Sequence, residues 1–259
     1  MPANWLGHRL ALAFRHGAKR RCAGPLDVEA VGVRLRLHPE DNFCENRLLF
    51  MPQFYDPEEI RFLSAVLTPT SCFVDIGANI GIYSLVVASR LAPRGRVLAV
   101  EPDPVTFERL RTNLRLNGLT GVIARQAAVG AKAGFLHLHR DAANRGQNGL
   151  RPESGDGTEP VAVRPLAQLL AEAGCLAPAV LKIDIEGMEE EVLAAYFAAT
   201  STDDRPQHLI VEERRGHPRP VLQAELHAAA YRKIGQTRTN GLWRRTQPAQ
   251  AADFKELRP

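Results

Sequence analysis

The sequence predicts an α/β protein, a three-layer sandwich in which helices cover both faces of a mainly parallel sheet of about seven strands. Two observations support this fold class. Short apolar runs alternate with stretches of helical length and spacing, which is the pattern of right-handed βαβ units. Several of the apolar runs, such as "RVLAV", are nearly continuous, as is typical of strands that are buried on both faces.

The chain divides into three segments at the points where this alternation begins and ends. Residues 1–70 are expected to form a basic helix, a strand and a further helix that pack on the core. Residues 71–247 form the main α/β domain, which contains a glycine-rich turn. Residues 248–259 form a C-terminal tail.

The elements of the first segment follow from charge and periodicity. "HRLALAFRHGAKRRC" (8–22) predicts a short basic helix. "VEAVGVRLRLH" (28–38) alternates apolar and polar residues, which indicates a half-exposed strand. "DPEEIRFLSAVL" (56–67) predicts a helix, with Asp56 as an acidic cap and Pro57 in the first turn.

In the main domain, strands and helices follow one another. The predicted strands are "SCFVDI", "RVLAVE", "VIARQAAV", "GFLHLHR", "AVLKIDIE" and "HLIVEE", with weaker patterns at 232–235 and 241–245. The predicted helices are "IGIYSLVVASRLA", "PVTFERLRTNLRLNG", "VRPLAQLLAEAG", "MEEEVLAAYFAAT" and "RPVLQAELHAAAY". The stretch 141–160 is rich in Gly, Asn, Asp and Pro and predicts a long loop, either a substrate-facing lid or a surface insertion.

Composition places few limits on function. The chain has 259 residues and a formal net charge of +4, enough length to bury a full core without disulfides. The basic start suggests either an anionic partner or a solvated helix. Four cysteines without a CxxC spacing argue against a zinc ribbon or redox motif, so free thiols in a reducing, cytoplasmic location are expected. We find no apolar run of membrane-spanning length.

The segment "FVDIGANIGIYS" (73–84) reads as a strand, a glycine turn and a helix, an arrangement that binds nucleotides. It fits the dinucleotide fingerprint GxGxxG poorly. Asn79 stands where the second glycine would let the backbone approach a pyrophosphate, and Ile82 stands at the third glycine position. The turn therefore indicates a nucleotide ligand other than NAD.

Two carboxylates point to the kind of ligand. Asp75 precedes the first glycine, where it would repel a pyrophosphate but attract a cation. S-Adenosylmethionine carries an ammonium and a sulfonium and has no phosphate. Glu101 follows Gly77 by 24 positions and ends the next predicted strand, from which a carboxylate can accept hydrogen bonds from ribose hydroxyls. The residues thus favour S-adenosylmethionine as cofactor.

These motifs resemble those of class I S-adenosylmethionine-dependent methyltransferases, and more narrowly the FkbM-type family. "VDIGANIGIYSL" and "VEPDPVTFERLRTNLRLNG" carry the resemblance, together with "LKIDIEGMEEEVL" and "LIVEE" further on. It covers about residues 73–213. The resemblance implies a Rossmann-like fold and makes 71–247 the cofactor-binding methyltransferase domain.

The resemblance also implies roles for individual residues. The turn would line the methionine part of the cofactor, Glu101 would bind the ribose, and a third group would lie near the adenine. The turn residues are Asp75, Gly77, Ala78, Asn79 and Gly81; the adenine group is Pro102, Asp103, Gln126, Ala127 and Ala128.

The catalytic candidates come from "IDIEG", at the end of the fourth main strand. Transfer to a hydroxyl requires a group that takes its proton, and a carboxylate within hydrogen-bond reach can do so. Asp184 and Glu186 are the candidates, on one side of the strand if it extends that far; His217 is an alternative. In the other interpretation, Glu186 caps the next helix and Asp184 orients a loop.

A metal is a further alternative. Asp184, Glu186 and Glu212 offer oxygen ligands that suit Mg²⁺. No spacing in the sequence demands a metal, so no metal ligands are predicted.

The predicted function is S-adenosylmethionine-dependent O-methylation of a hydroxyl on a small molecule or sugar; the hydroxyl is implied by the family. A nicotinamide-dependent dehydrogenase and a non-catalytic S-adenosylmethionine-binding protein are the alternatives. A nucleic-acid partner is not expected, because 184–187 offers no aromatic residue to stack a flipped base. The sequence does not indicate an oligomeric state.

Overall fold

A computed structural model describes residues 24–91, 95–139, 149–151, 158–185 and 187–246. The strands of its central sheet are β3 (Cys72–Ile76), β4 (Arg96–Val100), β5 (Val122–Arg125), β10 (Val180–Ile183), β11 (His208–Glu212), β12 (Tyr231–Gln236) and β13 (Asn240–Arg245). Other strands form a hairpin, β1 (Leu26–Ala30) and β2 (Val33–Leu37), and a smaller sheet, β6 (Ala128–Gly130), β7 (Gly134–His139), β8 (Gly149–Arg151) and β9 (Glu159–Pro165). The helices are α1 (Phe43–Phe50), α2 (Pro57–Val66), α3 (Ile82–Ala88), α4 (Pro104–Leu116), α5 (Leu166–Glu172), α6 (Glu189–Ala199) and α7 (Pro220–Ala228).

The central sheet has the described strands in the order β12-β13-β11-β10-β3-β4-β5. Neighbouring strands from β11 to β5 are parallel, and β13 runs antiparallel to both β11 and β12. The order reverses between β3 and β10, the place where open α/β sheets bind ligands. This arrangement confirms the predicted mainly parallel, Rossmann-like α/β sheet of seven strands.

The two faces of the sheet bury separate apolar cores. Val74, Leu98 and Leu181 point to the core under α5, α6 and α7, while Phe73, Val97 and Val180 point to the core under α1 to α4. The alternation along each strand sends neighbouring side chains to opposite faces. Helices on both faces make the three predicted layers.

The first segment shares one of these cores. Leu35 and Leu37 of β2, Leu48 of α1 and Leu63 of α2 are at most 1% exposed and belong to the same cluster as Phe73. This part of the chain therefore packs directly on the sheet. The predicted divisions at residues 70 and 247 stay predictions, and the basic helix and the C-terminal tail lie outside the described residues.

The predicted single strand at 28–38 is wrong, because this stretch is the β1–β2 hairpin. Val31 and Gly32 form its turn with φ of 48° and 81°. Positive φ at both central residues is what a tight hairpin turn requires. Strict alternation of apolar residues on both sides had hidden the turn.

The interpretation of "VIARQAAV" as one strand is also wrong. Val122–Arg125 forms the edge strand β5 of the central sheet, whereas Ala128–Gly130 is β6 of the small sheet, paired with β9. The end of the predicted loop at 141–160 belongs to β9, and β9 also takes the first residues of the helix predicted at 163–174. Most of that loop lies outside the described residues.

Helix α1 was not predicted. Asn42 caps it by accepting hydrogen bonds from the backbone N–H groups of Cys44 and Glu45, and this cap with an acid three residues later is a recognisable start signal. Asp56 was predicted to cap α2, but its side chain makes no capping bond and its φ is 40°. Its carboxylate has other partners, described below.

The described cysteines, Cys44, Cys72 and Cys175, are free. In the part of the chain that the structure describes, every helix is too short or too polar to cross a membrane.

Candidate active site

A cavity of about 340 Å³ opens at the carboxyl ends of β3, β4, β10 and β11. Its volume is within the range of pockets that hold small ligands. Its walls come from the first segment, the glycine turn, the ends of the parallel strands and the β12–β13 connection. The lining residues are Phe43, Cys44, Arg47, Tyr55, Asp56, Ile76, Gly77, Ala78, Asn79, Tyr83, Val100, Glu101, Pro102, Thr106, Ala127, Val129, Leu138, Lys182, Asp184, Ile185, Glu212, Arg214, Arg238, Thr239 and Asn240.

The glycine turn (residues 77–81) uses all of its backbone N–H groups internally. Gly77 and Ala78 both donate to the Val100 carbonyl, at 3.0 and 2.9 Å. The other three donate, at 2.8 to 2.9 Å, to protein oxygens: Asn79 to Glu101 Oε2, Ile80 to Asn79 Oδ1, and Gly81 to the Ala78 carbonyl. A turn that binds phosphate presents free N–H groups to the anion. This turn has none to offer.

Gly77 allows the turn to pass close to the end of β10. Its φ is 74°, and a Cβ placed there would lie 1.9 Å from the Asp184 carbonyl oxygen. Only glycine accommodates both the left-handed backbone and this approach. The end of β10 is therefore held against the turn, and Asp184 N donates to the Ile76 carbonyl at 3.1 Å.

Glu101 lies on the cavity wall at the end of β4. Its two carboxylate oxygens accept hydrogen bonds from Asn79 N at 2.9 Å and Asp103 N at 3.0 Å. Burial raises the pKa of Glu101 to about 7, although these two bonds oppose the rise. Each oxygen has a second lone pair, so the carboxylate can also accept from the hydroxyls of a ligand.

Asp75 is placed differently from its expected position against the ligand. It is fully buried and does not line the cavity. Its Oδ2 accepts from Ser84 Oγ at 2.8 Å, and Lys182 Nζ lies 3.9 Å from its Oδ1. Ser84 is in the first turn of α3, so the Asp75 carboxylate occupies the helix N-terminus where a phosphate would bind.

The other predicted cofactor residues divide into two groups. Gly77, Ala78, Asn79, Glu101, Pro102 and Ala127 line the cavity. The remaining four do not line the cavity. Gly81 precedes α3, with Leu110 so close that a Cβ would lie 2.2 Å from it, and Asp103 caps α4. Gln126 is exposed, and Ala128 packs in the core of the small sheet.

An apolar part of the cavity lies next to Glu101. Val100 from β4, Ala127 and Val129 from the β6 region, and Leu138 from β7 form it. Sequence reasoning missed Leu138, because the small sheet that carries it was not recognised. Apolar walls beside Glu101 suit an apolar ring such as adenine.

At the other end of the cavity, Lys182 is a buried cation between two carboxylates. Its Nζ lies 3.4 Å from Asp184 Oδ2 and 3.9 Å from Asp75 Oδ1, and 5.0 Å from the centre of the Tyr83 ring. Burial alone would lower the pKa of Lys182, but Asp184 and Asp75 outweigh burial and raise it. The amine is therefore an ammonium that holds Asp184 in place.

Asp184 is the predicted catalytic residue that reaches the cavity. Its side chain is 38% exposed. Strand β10 ends at Ile183, so alternation along the strand no longer relates residues 184 and 186. Glu186 lies outside the described residues. His217 is exposed and does not line the cavity.

The structure groups Asp184 and Glu212 with Glu189, with one oxygen of each within 4.8 Å of the others. Glu189 was not among the three acids considered as possible Mg²⁺ ligands, and no metal site was predicted. Its oxygens already accept from Ile185 N at 2.8 Å, Gly187 N at 3.1 Å and Arg219 Nη1 at 2.7 Å. Glu189 thus ties the loop before α6 to the first residue of that helix and is committed to the fold.

The first segment contributes a polar wall that sequence reasoning missed. Arg47 Nη1 donates to Asp56 Oδ1 at 3.0 Å, and Tyr83 Oη donates to Asp56 Oδ2 at 2.9 Å. The Arg47 guanidinium also lies 5.4 Å from the centre of the Tyr55 ring. The capping signal at Asn42 could have located α1, but no local signal shows that α1 faces the cavity.

The fold and the cavity together define a Rossmann-like α/β protein in which a nucleotide-type glycine turn lies beside the Lys182–Asp184 ion pair. The methyltransferase FkbM domain matches residues 75–234. The chain therefore belongs to the FkbM methyltransferase family, which confirms the family predicted from the motifs.

Three relatives show how far the similarity extends. The 31-O-demethyl-FK506 methyltransferase FkbM of Streptomyces tacrolimicus is 33% identical over 184 residues, covering 59% of this chain and 69% of the relative. Methyltransferase sdnD of Sordaria araneosa is 36% identical over 126 residues, 48% of each chain. Hexuronic acid methyltransferase AglP of Haloferax volcanii is 27% identical over 139 residues, 53% of this chain and 55% of the relative. The similarity thus spans about half the length of two of these relatives.

Proposed function

We propose that this protein transfers the methyl group of S-adenosylmethionine to a hydroxyl of a small molecule or sugar. The main observation in favour of this cofactor is the glycine turn next to Glu101, in which every backbone N–H group is already bonded to a protein oxygen. The turn offers no N–H group to a phosphate, while Glu101 offers acceptor lone pairs to a ribose. Membership of the FkbM methyltransferase family supports the same cofactor.

The residues of the cavity fit this cofactor. Glu101 would hold the ribose hydroxyls, and Val100, Ala127 and Leu138 would enclose the adenine. The methionine part would lie along Gly77–Asn79, towards β10. When bound, the cofactor supplies an electrophilic methyl group attached to a sulfonium. After transfer of the methyl group, the sulfur is a neutral thioether.

The residues beyond the turn would act on the acceptor. As the acceptor oxygen forms its bond to the methyl carbon and the carbon–sulfur bond breaks, the hydroxyl proton must leave. The Asp184 carboxylate would take it, because it borders the cavity and Lys182 fixes its position. Glu186 stays a second candidate for this role. Positioning of the acceptor and exclusion of water supply the rest of the rate enhancement.

One relative supports an oxygen acceptor, because it is named for 31-O-demethyl-FK506. Another is named for hexuronic acid, which supports a sugar-type substrate. The polar wall of Arg47, Asp56 and Tyr83 suits a substrate with several hydroxyls. The hydrogen-bonding groups of this wall can bond to those hydroxyls in place of one another.

The test is an assay with S-adenosylmethionine labelled in the methyl group, against a panel of sugars, uronic acids and hydroxylated polyketides. We expect a methyl ether in the product, located by fragmentation mass spectrometry. A methyl ester or an N-methyl product would contradict the hydroxyl acceptor. Binding of S-adenosylhomocysteine without transfer to any acceptor would favour the non-catalytic alternative. Binding of NADH would favour the dehydrogenase.

A further inference from the structure

Basic residues outnumber acidic residues at the end of the cavity proposed to bind the methyl acceptor. This end is formed by Arg47, Asp56, Lys182, Asp184, Glu212, Arg214 and Arg238. Each of its carboxylates has a basic partner: Asp56 with Arg47 at 3.0 Å, Asp184 with Lys182 at 3.4 Å, and Glu212 with Arg214 at 3.1 Å. In the part of the chain that the structure describes, the Arg238 side chain has no hydrogen-bond or ion-pair partner. One positive charge therefore remains.

Arg238 stands on a rigid turn. It lies between β12 and β13, where Thr237 Oγ1 and Asn240 Nδ2 both donate to Glu59 Oε1, at 2.5 and 2.8 Å. Glu59 is 2% exposed and belongs to α2. A buried carboxylate thus fixes the turn on both sides of Arg238.

A second set of bonds joins this turn to the end of β11. Arg215 N donates to the Arg238 carbonyl at 3.1 Å, and Glu213 N donates to the Thr239 carbonyl at 2.8 Å. Arg214, between these two donors, lines the cavity together with Arg238. The two guanidinium groups are therefore presented by adjoining backbone segments at one rim.

This rim is distant from the proposed cofactor position. In the sheet order, β13 is separated from β3 by β11 and β10, which at about 4.8 Å a strand is roughly 14 Å. The ribose carboxylate Glu101 is one strand further away. Asp184, at the end of β10, lies between the two regions. The guanidinium of Arg238 is therefore placed to contact the methyl acceptor and not the nucleoside of the cofactor.

We propose that the acceptor carries a carboxylate or a similar anionic group, which Arg238 binds while the reacting hydroxyl faces Asp184. Arginine suits this role because its planar guanidinium donates two parallel hydrogen bonds to a carboxylate. Arg214 adds positive potential, although Glu212 already engages its Nε. This inference rests on the proposed function and adds a substrate class to it.

The experiment uses the full chain saturated with S-adenosylhomocysteine. Glucuronate and its neutral analogue glucuronamide serve as probes, and their binding is measured by ligand-observed NMR titration at low salt. We expect glucuronate to bind about tenfold or more tightly than glucuronamide, as charge-assisted hydrogen bonds imply. Arg238→Gln should remove this preference. Arg232→Gln, an exposed arginine at the opposite end of β12, is the matched control and should retain it.

The outcomes separate the two proposals. Equal binding of both probes, binding of neither, or an unchanged preference in Arg238→Gln would overturn the anionic subsite while leaving the cofactor site intact. Weaker S-adenosylhomocysteine binding by Arg238→Gln, with the probe preference kept, would assign this arginine to the cofactor and overturn the subsite. Failure of the wild-type chain to bind S-adenosylhomocysteine would overturn the proposed function and the subsite with it.

Discussion

The backbone N–H of Asn79 donates a 2.9 Å hydrogen bond to Oε2 of Glu101. This bond joins the glycine turn after β3 to the carboxylate at the end of β4. It uses one of the N–H groups that a phosphate would need, and it fixes the carboxylate that a ribose would need. Asn79 and Glu101, which the sequence analysis identified separately, are thus joined by one hydrogen bond at the cavity wall.

Cofactor affinity should depend on the ionisation of Glu101. Burial raises its pKa to about 7, and ribose hydroxyls donate to the ionised form. Below pH 7 the Glu101 carboxyl of the free protein is mostly protonated and must lose its proton when the cofactor binds. Above pH 7 it is already ionised. S-Adenosylhomocysteine should therefore bind about tenfold more tightly at pH 8 than at pH 6. Calorimetry at both values checks this.

Glu101→Gln is the control for that experiment. Its affinity should be lower and nearly independent of pH over the same range. An equal pH dependence in wild type and Glu101→Gln would show that another group is responsible.

Gly77→Ala should disrupt both the turn and the site. The added Cβ would lie 1.9 Å from the Asp184 carbonyl oxygen at a φ of 74°, so the turn must move away from β10. We expect a loss of about 1–3 kcal/mol in the free energy of unfolding, with loss of S-adenosylhomocysteine binding. Gly118→Ala has a φ of 66° and open space around the Cβ. It should cost about 1–2 kcal/mol and leave binding unchanged. Urea unfolding and calorimetry measure both effects.

Asp184→Asn should separate binding from turnover. The amide keeps the shape but cannot take the hydroxyl proton, so the rate of methyl transfer should fall by about 10²–10⁴-fold. S-Adenosylhomocysteine affinity should change little. His217→Ala, an exposed position away from the cavity, should leave both quantities unchanged. A rate for Asp184→Asn close to that of wild type would remove Asp184 as the base and turn attention to Glu186.

Arg109→Ala should destabilise the wall that α1 forms. Arg109 pairs with Asp41 at 2.7 Å and with the fully buried Glu45 at 2.8 Å. Removing it leaves the Glu45 carboxylate without a cation, at a cost of about 3–5 kcal/mol.

That cost should depend on pH in a defined direction. Burial raises the pKa of Glu45 to about 7, with Arg109 opposing the rise. Without Arg109, the carboxyl is neutral below that value. The destabilisation should therefore be largest at pH 8 and smaller at pH 5. Arg111→Ala breaks only the exposed pair with Glu108 and should change stability by no more than about 1 kcal/mol at either pH. Thermal unfolding at both pH values tests this.

The periodicity of the sequence was sufficient for the main sheet, because buried strands and covering helices leave strong local patterns. Periodicity failed where one continuous sequence pattern covers two separate strands. The alternation at 28–38 continues across the turn at Val31 and Gly32. The stretch at 122–129, which is apolar except for Arg125 and Gln126, passes from one sheet into another. Tertiary pairing decides such cases, and a local pattern does not contain it.

The site shows the same limit. Gly77, Asn79 and Glu101 could be found because glycine and acid spacing reflect the turn itself. The cavity walls of Arg47, Leu138 and Arg238 come from elements far apart in the sequence, and only the folded chain brings them together. The sequence predicted that Asp75 faces the ligand, but burial places it beneath the turn, where its partners are Ser84 and Lys182.

Calorimetric titration of the wild-type chain with S-adenosylhomocysteine, alongside an identical titration with NADH, tests the cofactor assignment most directly. The saturated glycine turn and the free lone pairs of Glu101 predict one S-adenosylhomocysteine bound per chain and no binding of NADH. Binding of NADH, or no binding of S-adenosylhomocysteine at pH 8, would contradict the account.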